Sequence, residues 1–554
     1  MKTNQSRNFR VTCYRPSVSL WFIQLFCCTF LLLDASVSRA ARVDIKTIEQ
    51  QLSNPATLGL NKTEAADLQK FYAQRGYQPV WLTDDPGLSL FESAMTFIAS
   101  ADAEGLDSRD YGLPELQQLR QQADPSDAAA VALELRTTLA VLNLARDVSR
   151  GRLTATAADP DWHIAQPDFD AVAFLQAAVQ SGRLPQAFDE LPPTKLHYRL
   201  LKQTLARYRK LADEPVEWLK IPDAPSIHPG DTHPHIPLIR QRIAQAFDAD
   251  GIAEFQAGPS QSEHYDAELV SAVKAFQAQH NLNTDGVIGK NTLRALNRTL
   301  AWKIRQLRIN MERLRWLPKK LGDRYLLVNT AGFMLTAAEQ DQEVLSMRII
   351  VGRDYRSTPT FNSAMSHMVL NPYWNVPHSI ATKDLLPKQK SDPDFFSSGG
   401  FKIFPGNNRN AEPIDPDEID WHDLKGGFPY FLRQDPGKHN ALGRIKFMFP
   451  NSFSIYLHDT PSKSLFRRDI RTFSSGCIRL EKPLELAAFA LKEQSLPEKF
   501  ITDLDSDNTK TIHLPKPLPI FLVYITAWAD EHEMVHFSPD IYDRDLRALR
   551  YARW

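Results

Sequence analysis

Cys477 and His458 are the two side chains in this sequence best placed to do chemistry together. A thiol becomes a useful nucleophile near neutral pH only when a neighbour lowers its pKa of about 8.5 or takes its proton, and an imidazole can do either. His458 ends the run SFSIYLHDT and Cys477 lies in FSSGCIRLEK. The polar stretch DTPSKSLFRRDIRTF between them could fold back and bring the two together. Gly476 lets the backbone approach a substrate closely, and N–H groups around Gly476 and Cys477 could stabilise an oxyanion. Spacing alone does not separate this pair from a chance arrangement, because the chain has 15 histidines. The plain alternative for a lone cysteine is a buried, inert thiol behaving as a small hydrophobe. The small polar neighbours Ser474, Ser475 and Gly476 argue instead for an accessible one.

The other three cysteines, Cys13, Cys27 and Cys28, fall in a segment that reads as an export signal. Lys2, Arg7, Arg10 and Arg15 make it basic, Val18 to Leu33 is apolar, and Ser38 to Ala40 puts small residues at the cleavage-defining positions. The apolar run is short for a membrane span. The expectation is therefore a signal peptide over 1–40 cleaved after Ala40, with an uncleaved anchor as the alternative. No small residue directly precedes Cys27 or Cys28, so a lipoprotein signal is not read. Removal leaves Cys477 without a pairing partner in an oxidising compartment, where cysteines normally come in pairs. With 65 basic and 66 acidic residues, the chain offers no electrostatic case for nucleic acid or an anionic membrane.

The elements that must hold the pair divide the chain into a multidomain α+β protein. Residues 41–214 read as a helical scaffold domain; VALELRTTLAVLNLARDVSRG carries Val131, Leu135, Leu139 and Leu142 at helical spacing, with Gly151 as a C-terminal cap. Six prolines between Pro215 and Pro237 make 215–237 a linker. Residues 238–300 form a small helical module in which Leu269, Val273 and Phe276 line one face. It contains the turn Asp285-Gly286, a second permissive point at Gly289, and a new helix near Asn291. A helix with Ile304, Leu307, Met311 and Leu314 leads onward, and 322–554 reads as mostly β. VLSMRIIVG and RIKFMF alternate, and in SFSIYLHDT the residues Phe453, Ile455 and Leu457 point to a core while Tyr456 and His458 share the opposite face. Residues 378–440, rich in Pro, Gly, Asp and Asn, interrupt the strands as an inserted lid or binding loop. PLELAAFALKEQ is expected as a helix and Ile520 to Trp528 as a last long strand.

NTDGVIGKNTLRALN resembles the small peptidoglycan-binding domain, with its DGxxGxxT turn between helices. YLHDTPSKSLFRRDIRTFSSGCIRL resembles the active-site signature of the L,D-transpeptidases, a His followed by a spacer and a Ser/Thr-x-Gly-Cys core. Many members have His two residues before the cysteine, where this chain has Ser475. SSGC with Arg479 two residues after the cysteine, NPYWNVP and YITAWADEH resemble the large periplasmic Gram-negative branch. The resemblance implies a periplasmic enzyme without a cofactor. Cys477 would attack the third residue of a tetrapeptide stem of peptidoglycan, release D-Ala and form a thioester. An amine from an acceptor stem would resolve it into a 3→3 cross-link, with His458 as base. The resemblance further implies wall binding by the module, cell-wall synthesis partners, and a stem carboxylate held by Arg479, with Ser475, Tyr456 and Trp374 in the groove. A cysteine hydrolase of the L,D-carboxypeptidase type on the same stems shares the acyl-enzyme, and a wall-binding scaffold would need only the module.

HEMVH, His532 to His536, fits a zinc signature that requires both histidines on one helical turn. It follows a long strand here, and ADEHE reads as a hairpin turn with MVHF as the returning strand. Positions four apart in a strand lie too far apart to share one zinc easily, so no metal site is expected.

Overall fold

A computed structural model describes residues 43–554 apart from 55–58, 83–86, 122–126, 195, 216, 251–260, 407, 425–426, 494–495, 507 and 531. The segment read as an export signal, with Cys13, Cys27 and Cys28, lies outside the described residues.

Helices occupy most of 45–213, as their apolar spacing predicts. The longest, Asp127–Arg150, buries Val131, Leu135, Leu142 and Val148 against Leu68, Phe71, Phe91 and Ile98. Among the described residues it is the one helix long and apolar enough to cross a membrane, and it forms the centre of the scaffold core. It also buries Glu134, whose carboxylate accepts the N–H groups of Val80, Trp81 and Leu82 at 2.6, 3.0 and 3.2 Å and the Tyr72 hydroxyl at 2.9 Å. A carboxylate so deep is tolerated only with such a full set of donors. Gly151 ends the helix at φ +92°, and a Cβ there would lie 2.6 Å from the Trp316 ring.

Among the described residues the proline-rich stretch is free of helix between Leu196–Asp213 and Ile236–Asp250. The module consists of Ile236–Asp250, Ala267–Gln279 and Lys290–Leu296, with Leu269, Val273 and Phe276 in its core. Gly286 takes the positive φ that the turn requires, at +76°. Gly289 does not; at φ −94° it caps the next helix.

Helix Leu300–Trp316 is common ground for all parts. It packs on Leu196–Asp213, where Tyr198, Leu201, Leu205 and Tyr208 meet Leu307, Met311, Ala527 and Phe537. Its buried Glu312 accepts from Leu153 N at 2.7 Å and pairs with Arg315 at 3.0 Å, while Arg313 pairs with Asp545 near the C-terminus.

The β region contains β1 (Arg324–Asn329), β2 (Met334–Glu339), β3 (Gln342–Gly352), β4 (Phe361–Leu370), β5 (Trp374–Asn375), β6 (Phe401–Phe404) and β7 (Phe431–Gln434). It continues with β8 (Ile445–Met448), β9 (Leu457–His458), β10 (Thr472–Ser474), β11 (Ile478–Leu480), β12 (Lys510–Val523), β13 (Ala527–Ala529) and β14 (Val535–Phe537). Nine strands form one sheet in the order β10-β3-β11-β9-β8-β4-β12-β1-β2, and β2 also pairs with β3, so the sheet returns on itself. Closure of this kind removes free strand edges. Helix Pro483–Leu491 packs on this core through Leu486, Ala487 and Ala490.

Three sequence expectations change. SFSIYLHDT is strand only at Leu457–His458; Phe453 is exposed, because Asn451 folds the preceding residues into a turn by accepting from Phe453 N and Ile455 N. The last long strand starts at Lys510 and ends at Val523, with Trp528 in the separate β13. Its register on β4 shifts between His513 and Leu518, where Pro515 and Pro517 have no N–H to give a ladder. The 378–440 insertion is more than a loop. β5, β7 and β6 form a second sheet flanking a core of Phe396, Phe401, Ile403, Trp421, Phe428 and Leu432.

Candidate functional site

β9 and β11 run parallel side by side, with Ile478 opposite Leu457 and Arg479 opposite His458. This pairing brings the Cys477 turn beside the His458 segment, and both residues line a cleft of about 2070 Å³, open mouth included, between the main sheet and the inserted subdomain. Ser475, Arg479, Tyr456 and Trp374 line the same cleft.

Cys477 is half-buried and is the free cysteine among the described residues. Its thiol faces Ser454 O at 3.8 Å and bonds the Tyr456 hydroxyl. Burial pushes the thiol pKa up, and Tyr456, Lys446 and Arg479 pull it back. Tyr456, expected only as a groove aromatic, therefore touches the sulphur itself.

His458 is buried and its ring lies 5.7 Å from that of Tyr456. Its Nδ1 lies 2.5 Å from the Asp459 carbonyl oxygen, a contact that favours the proton on Nδ1 and leaves Nε2 as the basic nitrogen. Burial pushes its pKa down to about 3, helped by the positive charge of Arg479 and opposed by the backbone of Asp459. The imidazole is thus neutral at physiological pH, the form a general base needs. In this resting arrangement the hydrogen bonds of the thiol go to Ser454 and Tyr456 and not to His458.

The turn between β10 and β11 is held from below. Gly476 takes φ +114°, and its carbonyl accepts from the buried Thr358 hydroxyl at 2.8 Å. Thr358 Oγ1 also accepts from Gly352 N at 3.0 Å, and Tyr542 bonds Gly352 O at 2.6 Å. Of the two expected oxyanion donors, Gly476 is corrected: its N–H is turned onto Ser474 Oγ at 3.1 Å. Among the described residues the Cys477 N–H has no acceptor and stays available.

Arg479 is half-buried in the cleft, and among the described residues its Nε has no hydrogen-bond partner. Burial lowers its pKa. Ser475 Oγ accepts from Arg356 at 2.9 Å, and Arg356 and Arg353 both pair with Asp384 of the insertion. Trp374 sits on β5, 6.1 Å from Phe401. The sequence reading missed Arg353, Arg356 and Asp384, whose meeting depends on the insertion folding back. It also missed Lys446, which the RIKFMF alternation does put on the face opposite the buried Ile445 and Phe447. The cleft is consequently rich in cations, with Arg353, Arg356, Lys388, Lys446 and Arg479 among its lining residues.

HEMVH forms the expected hairpin. β13 pairs with β14, Trp528 lies opposite His536, and His536 Nε2 bonds Asp530 at 2.7 Å. Among the described residues no group of three or more metal-binding side chains comes together.

Comparison with known proteins matches three regions to families. Residues 66–205 match one described as "Scaffold domain", 249–296 one described as "Putative peptidoglycan binding domain", and 323–503 one described as "L,D-transpeptidase catalytic domain". A Haemophilus influenzae protein named "Putative L,D-transpeptidase" is 39% identical over 241 residues, 43% of this chain and 48% of that protein. The matched part of the chain thus spans about half the length of that relative. Two solved structures align at low similarity. An L,D-transpeptidase from Xylanimonas cellulosilytica has 13% identity and a TM-score of 0.19 over 55% of this chain and 99% of that one. Another from Stackebrandtia nassauensis has 11% identity and a TM-score of 0.21 over 55% and 96%.

Proposed function

Because residues 323–503 match the L,D-transpeptidase catalytic domain, we propose that this chain cross-links peptidoglycan stems 3→3 through a thioester on Cys477. The observation that carries this reading is the Cys477 turn, which sets a thiol, a free N–H and a neutral imidazole on one cleft wall. The cation-rich lining suits stem peptides, which carry several carboxylates.

The chemistry runs in two halves. The thiol proton passes to His458 Nε2 as sulphur bonds the carbonyl carbon of the third stem residue. The oxyanion is met by the Cys477 N–H. The C–N bond breaks, and D-Ala leaves as an amine that takes the proton from His458. An acceptor amine then attacks the thioester, His458 removes its extra proton, and sulphur departs as thiol. Arg479, with an unsatisfied Nε beside the nucleophile, holds a stem carboxylate. The module, matched to a peptidoglycan-binding family, holds the strand. The basic-then-apolar run of residues 2–33 exports the protein to the periplasm, where these substrates and the partners of wall synthesis lie.

The test is to incubate the protein with disaccharide-tetrapeptide and read the products by mass spectrometry beside Cys477→Ala. A dimer lighter by one D-Ala, absent from the variant, is expected. Tripeptide without dimer would replace this reading by the hydrolase, and unchanged substrate with retained sacculus binding would replace it by a wall-binding scaffold.

A further inference from the structure

Lys446 occupies an unusual position. β8 pairs antiparallel with β9, and Lys446 lies directly opposite His458. Its neighbours Ile445 and Phe447 are buried in the core, so strand alternation turns the lysine to the cleft. The ammonium lies 3.9 Å from the centre of the Tyr456 ring. Among the described residues no carboxylate pairs with it. The Tyr456 hydroxyl in turn bonds the Cys477 sulphur. A half-buried cation with no counter-ion is costly unless an anion comes to it.

We propose that Lys446 is a positioning residue for the nucleophile: through Tyr456, its ammonium supports the negative charge that develops on the Cys477 sulphur. The inference rests on the reading of Cys477 as the nucleophile. When the S–H bond breaks, the proton goes to His458 Nε2 and the electron pair stays on sulphur. Lys446 exchanges no proton; it supplies charge. The same support applies when sulphur is expelled from the thioester in the second half of the reaction. The charged and titratable groups around the thiol are Lys446 on β8, Tyr456 and His458 on the β9 segment, and Arg479 on β11, with Arg353 behind Arg479. Arg479 and Lys446 are the two cations that act on the thiol. Only Lys446 is seated on the tyrosine that bonds it. The electrostatic effect is mutual: burial lowers the Lys446 pKa and the Cys477 charge raises it.

The experiment is the pH dependence of Cys477 alkylation by iodoacetamide on the full chain, read on the Cys477 peptide by mass spectrometry. No stem peptide is needed. Lys446→Met is expected to move the alkylation midpoint up by about one pH unit, the lower end for losing a nearby opposite charge. Lys446→Arg should restore it, and Tyr456→Phe should also raise it. Thermal unfolding of each variant shows whether the fold is kept; if Lys446→Met does not fold, Lys446→Gln takes its place. A Met profile that superimposes on wild type overturns the proposal. So does a variant whose only defect is a raised KM, which would make Lys446 a contact for a stem carboxylate. Wild-type protein that alkylates normally yet forms no thioester with tetrapeptide would count against the proposed function and leave this inference standing.

Discussion

The burial of His458 has two consequences, one for its proposed role as base and one for stability, and both can be measured. In the proposed role of base it must be neutral, and burial beside Arg479 ensures that by holding its pKa near 3. The unfolded imidazole has a pKa near 6.5 and binds its proton first as pH falls. The histidine's contribution to stability is therefore complete above about pH 6.5 and is lost as pH falls toward the folded value. The loss is about 1.4 kcal/mol per pH unit for one proton at most. Urea unfolding of wild type between pH 7.5 and 4.5 should show a slope that His458→Gln flattens. The same variant should slow acylation about 100-fold or more in single-turnover experiments at pH 7.5. At this scale the sequence was informative about two side chains that come to share one cleft, because Cys477 and His458 differ chemically from their neighbours. It was less so for Gly476, whose N–H is taken by Ser474, a bond made by turn geometry that residue types do not specify.

At the scale of elements, the Cys477 turn depends on its support from β3. Thr358 joins Gly352 and Gly476 through one hydroxyl, donating to one and accepting from the other. Thr358→Val preserves the shape and removes both bonds, leaving two buried backbone groups unsatisfied. It should cost about 1–3 kcal/mol in denaturant unfolding. Thioester formation should fall under conditions where the variant is still fully folded, because Gly476 sets the direction of the Cys477 N–H. RIKFMF was readable as a strand because its alternation is strict, and the same alternation pointed Lys446 away from the core. The start of β12 was not readable, since Pro515, Pro517 and Pro519 argue against a strand until the bulge on β4 accommodates them. Nor was the insertion: Arg356, Asp384 and Ser475 meet across long stretches of sequence, and local pattern carries no trace of such a contact.

At the scale of the molecule, the module and the catalytic region are joined through the loop between His458 and Cys477. Asp469 in that loop accepts from Asn283 N at 2.6 Å and Asn291 Nδ2 at 2.9 Å, on either side of the module's turn. Asp469→Ala should raise hydrogen exchange in residues 459–471 and in the turn at 283–291 together, with scaffold helix Asp127–Arg150 unchanged. Exchange rising on only one side would mean that the two segments do not lean on each other. The domain order was legible from composition, because prolines, helical spacing and alternation change at its borders. The contacts between domains were not, because they use ordinary polar residues.

The shared helix Leu300–Trp316 and the Asp469 clasp bear on how such a protein can change over evolutionary time. A module joined to its neighbours only by a linker can be exchanged as a cassette. This one cannot be exchanged so simply. Its Asn281 side chain donates to Gly332 O and its Gln279 side chain to Val535 O, at 2.8 and 3.2 Å. A recombinant carrying a foreign module would leave those carbonyls and Asp469 without their donors. The heritable unit is therefore the assembled set of domains, and matching substitutions on both sides of these contacts are the route by which it diverges.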